Sequence, residues 1–172
     1  MKKTILKGKG ILAVNNERNI LVFLADEAEN YGVILDLARS CREAMQKMAC
    51  LSYDLAILDA MDAGCLDLLA LAVGNDIPVV MLTAHTMTPE ALHQSIEIGA
   101  RAFLSKRRLG QIMPFLEDVF TLSSRPLWRK NFEMVAGYFG KTYGSGWCRA
   151  ESNFWNRGEE DLGSENFAII LE

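Results

Sequence analysis

Three side chains of different chemistry stand at the ends of three apolar runs. Tyr53-Asp54-Leu55-Ala56-Ile57-Leu58-Asp59 ends in a carboxylate. Ile77-Pro78-Val79-Val80-Met81-Leu82 leads to the hydroxyl of Thr83, and Ala102-Phe103-Leu104-Ser105 to the ammonium of Lys106. Short apolar runs bounded by turn formers read as buried strands. In an open α/β sheet, ligands bind at the carboxyl ends of the strands. An aspartyl carboxylate is a nucleophile toward phosphorus, and a lysine acts on phosphate as a point charge. A carboxylate, a hydroxyl and a lysine at successive strand ends therefore make a site for a phosphoryl group carried on Asp59. A fourth run, Ile11-Leu12-Ala13-Val14, leads to Asn15-Asn16-Glu17.

The elements that must position these groups alternate between apolar runs and helical patterns, the signature of β-α units around a parallel sheet. The first helix is expected from about Glu17 to Glu29, with Gly32 as its C-terminal cap. A second strand covers Val33 to Leu37. Ser40 is placed to cap a second helix with an apolar stripe of Ala44, Met45, Met48 and Leu51. A third helix spans about Cys65 to Val73, where Gly74-Asn75-Asp76 breaks it. Thr88-Pro89-Glu90 combines a capping hydroxyl, a proline at the first position and a first-turn acid, so it starts a fourth helix that ends at Gly99. A fifth helix is expected from about Leu109 to Phe120. Five such units make a doubly wound sheet with helices on both faces, and right-handed crossovers leave few topologies.

The bulk numbers narrow the function. A length of 172 residues suits one ordinary domain plus an appendage. A net charge of -4 argues against nucleic acid as a partner. Cys41, Cys50, Cys65 and Cys148 show neither C-x-x-C pairing nor zinc spacing, and fit a reducing cytoplasm. The first residues are basic, but lysines interrupt any signal-peptide core. No apolar run approaches a membrane span. The expected setting is cytoplasmic, with no membrane partner. Neither His85 nor His93 is tied to a nucleophile by spacing, so an autonomous hydrolytic enzyme is not expected.

The chain from about Ile11 to Leu122 resembles the receiver domain of bacterial response regulators. Tyr53 to Asp59, Pro78-Val79-Val80-Met81-Leu82-Thr83-Ala84-His85 and Gly99-Ala100-Arg101-Ala102-Phe103-Leu104-Ser105-Lys106 carry the resemblance, in order and at the right spacing. It implies a flavodoxin-like five-stranded parallel sheet of order 2-1-3-4-5 over residues 10–122. It implies Asp59 as phospho-acceptor, with Thr83 on the phosphoryl oxygens and Lys106 paired with them. It also implies Phe103 as a switch aromatic, and a magnesium ion held by Asp59, Asn16 and the Met61 backbone carbonyl, with Glu17 as a further candidate. The implied partner is a histidine kinase or phosphotransfer protein of a two-component system. Homodimerisation is expected through the face made by the fourth helix, fifth strand and fifth helix, or through the tail.

The chain departs from the family pattern where that pattern has two acids and this sequence has Asn15 and Asn16. Counting these two positions with Asp59, the formal charge falls from about -3 to -1, which weakens attraction for a divalent ion. Lys106 is followed by Arg107 where the family usually has proline, and Asp62 lies in an altered loop after Asp59. The alternative function is a degenerate receiver that binds proteins independently of phosphorylation.

Residues 125–172 change composition, holding all three tryptophans. Trp128, Phe132, Val135 and Phe139 recur at helical spacing. Trp147, Phe154 and Trp155 suit a second short helix, and Phe167-Ala168-Ile169-Ile170-Leu171 reads as strand-like. The expectation is a largely helical extension whose aromatic face packs on the receiver or on a second copy.

Overall fold

The computed structural model describes residues 4–60, 64–84, 88–121 and 168–170. Strands and helices alternate as β1 Gly10–Val14, α1 Arg18–Tyr31, β2 Ile34–Ala38, α2 Cys41–Cys50, β3 Leu55–Asp59, α3 Cys65–Gly74, β4 Val79–Thr83, α4 Pro89–Ile98, β5 Ala102–Ser105 and α5 Ile112–Thr121. The first five strands form a parallel sheet in the order β2-β1-β3-β4-β5. A sixth strand, β6 Ala168–Ile170, extends the β5 edge in parallel, with Phe103 opposite Ile169.

Every residue of β3 and β4 is buried, as expected of central strands covered on both faces. Alternate residues feed two cores. Leu12, Val14, Leu58, Val79, Met81 and Phe103 pack with α2, α3 and α4. Ile11, Ala13, Ile57, Leu82 and Leu104 pack with α1 and α5. β2 lies at the opposite edge, and its Ile34 is exposed.

The helix ends follow the local chemistry. Ser40 accepts from the Glu43 backbone N–H and Thr88 from that of Ala91. Gly32 closes α1 at φ 67°, a left-handed conformation that costs glycine little. α1 runs two residues past the expected end and β2 is shifted by one, and two further boundaries differ from the sequence expectation in what they bury or how they turn. α2 stops at Cys50 and Leu51 is extended and exposed, so Leu51 leaves the apolar stripe. The fifth helix begins at Ile112, because Lys106–Gln111 forms a 3₁₀ segment interrupted at Arg108. Pro114 lies in the first turn of α5, where a missing N–H is tolerated.

The aromatic run Trp128, Phe132, Val135 and Phe139, with Trp147, Phe154 and Trp155, lies outside the described residues. So do Met61, Asp62 and His85.

Candidate functional site

Parallel register sets the strand ends side by side. Asp59 closes β3 opposite Leu82, and Thr83 closes β4 opposite Ser105. Lys106 follows β5 directly and opens the 3₁₀ segment, where the Ser105 hydroxyl caps by accepting from Arg107 N–H. Val14 is opposite Leu58, so Asn15 comes abreast of Asp59. By strand alternation, Asn15, Asp59 and Lys106 follow Ala13, Ile57 and Leu104 onto the α1/α5 side of the sheet. Thr83 follows Met81 onto the other side.

The pocket is built on an ion pair. Lys106 Nζ donates to Asp59 Oδ2 at 2.8 Å and to Glu17 Oε1 at 2.6 Å. Asp59 is 2% exposed, whereas Glu17 is more than half exposed. Burial pulls the Lys106 ammonium down, but its hydrogen bonds to the two carboxylates outweigh that and hold its pKa above the ordinary lysine value. Thr83 and Asn15 are both buried.

Asn15 has a second, local role. Its Oδ1 accepts from the Glu17 backbone N–H at 2.8 Å, and this Asx turn leads into α1. The bond fixes the amide orientation, because a flipped amide would set NH₂ against N–H. Among the described residues, Asn15 Nδ2 is buried without a hydrogen-bond partner.

Phe103 is fully buried within the core on the α2, α3 and α4 side. Asn16 is exposed on the loop after β1. Glu17, anticipated as a metal candidate, is engaged by Lys106 instead. That contact spans 89 residues of sequence, and no local pattern could have disclosed it.

The resemblance implies a magnesium ion at this site. A divalent cation wants carboxylate and carbonyl oxygens. Here the Asn15 carbonyl oxygen already accepts from the Glu17 backbone N–H, and the unpartnered end of its amide is a donor. An ammonium already holds both Asp59 and Glu17. Among the described residues, no group of three His, Cys, Asp or Glu could hold a metal ion. The described side chains do not fit a divalent cation.

The geometry has close counterparts among solved structures. A response regulator from Chloroflexus aurantiacus superposes with TM-score 0.59 at 21% identity, covering 67% of this chain and 100% of that one. The chemotaxis response regulator CheY4 of Vibrio cholerae gives 0.59 at 20% identity, covering 66% and 99%. A CheY-like receiver domain protein from Methanospirillum hungatei gives 0.57 at 23%, covering 66% and 98%. This chain has the receiver-domain fold. No family model matches the sequence, and no curated protein matches it. The likeness is one of architecture alone.

Proposed function

We propose that the protein is a signal receiver in which Asp59 accepts a phosphoryl group from a phosphohistidine on a kinase or phosphotransfer partner. The observation that carries this reading is a nearly inaccessible carboxylate at the end of a central strand, held at 2.8 Å by a lysine from the end of another. A carboxylate oxygen of Asp59 attacks phosphorus, and the P–N bond of the donor breaks. Its electron pair returns to the imidazole nitrogen, leaving an acyl phosphate on Asp59. Catalysis of such a transfer is mostly positioning and charge compensation. Lys106 follows the negative charge from the carboxylate onto the phosphoryl oxygens, and the Thr83 hydroxyl donates to them.

Phe103 lies on β5, fully buried, and shares a core with Leu92 and Ile96 of α4. A shift of Thr83 toward a phosphoryl group would open space for the ring, and so alter the α4–β5–α5 face. β6 runs beside β5, so a partner or a second copy docking on that face meets the chain's own 168–170 strand there. Among the described residues no helix is long and apolar enough to cross a membrane. The magnesium ion named from the resemblance is not part of this step.

A phosphorylation-independent protein-binding module is the second reading, and the neutral Asn15 and Asn16 favour it. Incubation with phosphoramidate, read by intact mass, separates the two. One phosphoryl adduct, absent in Asp59→Asn, is expected. No adduct at high donor concentration leaves the binding module.

A further inference from the structure

A buried donor without an acceptor keeps its full desolvation cost, and native structures rarely keep one without a use. Among the described side chains of this pocket, Asn15 Nδ2 is such a donor. It sits abreast of Asp59, on the same side of the sheet as Lys106. Its orientation is held by the Glu17 N–H, so a donor is what Asn15 can offer a ligand. Asp59 and Lys106 neutralise each other in the buried part of the site, and only the half-exposed, solvent-screened Glu17 adds charge. A divalent cation would arrive to an ammonium and an amide N–H₂. An oxyanion would arrive to donors.

We propose that Asn15 Nδ2 is a direct ligand for a phosphate-class oxyanion seated at Asp59, forming with Lys106, on the same side of the sheet, a cradle of two side-chain donors that works without a divalent metal. The inference rests on the reading of this pocket as a phosphoryl site. It changes what the residue after β1 does there: a position expected to hold a cation through oxygen holds the anion itself through nitrogen.

The test uses the full chain labelled with nitrogen-15. The Asn15 side-chain amide signal is identified by its loss in Asn15→Ser, a variant small enough for the site and able to keep a bond to Glu17 N–H. Titration with inorganic phosphate in the presence of a chelator should move that signal. Magnesium chloride alone should leave it in place. Phosphate affinity in Asn15→Ser should fall about tenfold or more, as for the loss of one hydrogen bond to a charged group. An Asn15 signal that phosphate does not move overturns the proposal, and identifies the amide as a structural element or a site for bound water.

Phosphoramidate labelling separates this from the reading of Asp59. Equal labelling with chelator and with magnesium supports the proposal, as does a labelling that becomes magnesium-dependent in Asn15→Asp. Labelling of the native chain that requires magnesium overturns it while leaving Asp59 as acceptor. Absence of labelling under both conditions removes the acceptor reading, and the phosphate titration then decides whether the cradle binds an anion.

Discussion

Replacing Lys106 by methionine removes the cation from a site where one of its two partners cannot reach water. Asp59 is 2% exposed and lies 2.8 Å from the ammonium, whereas the Glu17 side chain is 55% exposed at 2.6 Å. Breaking a buried pair by deleting one partner typically costs about 3–5 kcal/mol, because the other charge stays buried. Exposed pairs contribute about 0–1 kcal/mol after screening. Lys106→Met should therefore lower unfolding stability by about 3–5 kcal/mol, nearly all through Asp59. Glu17→Gln should cost no more than about 1 kcal/mol. Asp59→Asn should be near neutral or stabilising, since it removes the buried charge while Glu17 keeps the lysine paired. The double variant Asp59→Asn/Lys106→Met should recover most of the loss seen in Lys106→Met alone. Urea denaturation of all four proteins, at neutral pH and constant salt, gives the comparison. A Lys106→Met loss below about 1 kcal/mol, or one that the double variant does not recover, would refute the assignment of the buried charge to this pair.

Three further outcomes test the frame around the pocket. Phe103→Ala, at a fully buried site on β5, should cost about 3–5 kcal/mol by denaturant unfolding. Gly99→Ala should cost at least about 1–2 kcal/mol, because Gly99 has φ +117° and a Cβ there would stand 3.1 Å from Val73 Cγ1; a neutral substitution would mean the turn after α4 can relax. Asp54 is held below the ordinary carboxylate range by the Gly10 backbone N–H and then Lys9, against burial. Burial raises Asp36, but its bonds to Lys47 and Tyr53 outweigh this and leave it lowered as well. Both folded values lie below the unfolded ones, so their contribution is present above roughly pH 4 and is lost as pH falls through the depressed values. A pH series of unfolding free energies should show that acid limb, and Asp36→Asn/Asp54→Asn should flatten it.

The legible parts of this protein are those in which the nearest few residues decide the outcome. Ser40 and Thr88 cap helices because each hydroxyl reaches the N–H three residues on. β3 and β4 are apolar at nearly every position because both of their faces are covered. Asp59, Thr83 and Lys106 could be singled out because each ends an apolar run. The start of α5 differs from the sequence expectation because Leu109 has the right period, while the turn actually taken depends on the Ser105 hydroxyl and the break at Arg108. β6 was readable as strand-like, but its place beside β5 is a pairing between segments more than sixty residues apart, which no local pattern encodes.

The pocket illustrates the same limit at the level of a single side chain. An asparagine carries both an acceptor and two donors, so its identity alone does not say which sign of charge it favours. Read by position, Asn15 and Asn16 are acids that have lost their charge, and the inference is a weakened metal site. The structure adds the Glu17 backbone N–H, which claims the Asn15 oxygen at the entrance to α1. With that bond made, the unpartnered end of the amide is its NH₂, beside a lysine already shared by the two nearby carboxylates. The substitution therefore does more than subtract charge. It leaves an unpartnered donor at a position that would attract a cation, and it does so through a local turn whose signal, an Asn two residues before the N-cap Glu17, was present in the sequence from the start.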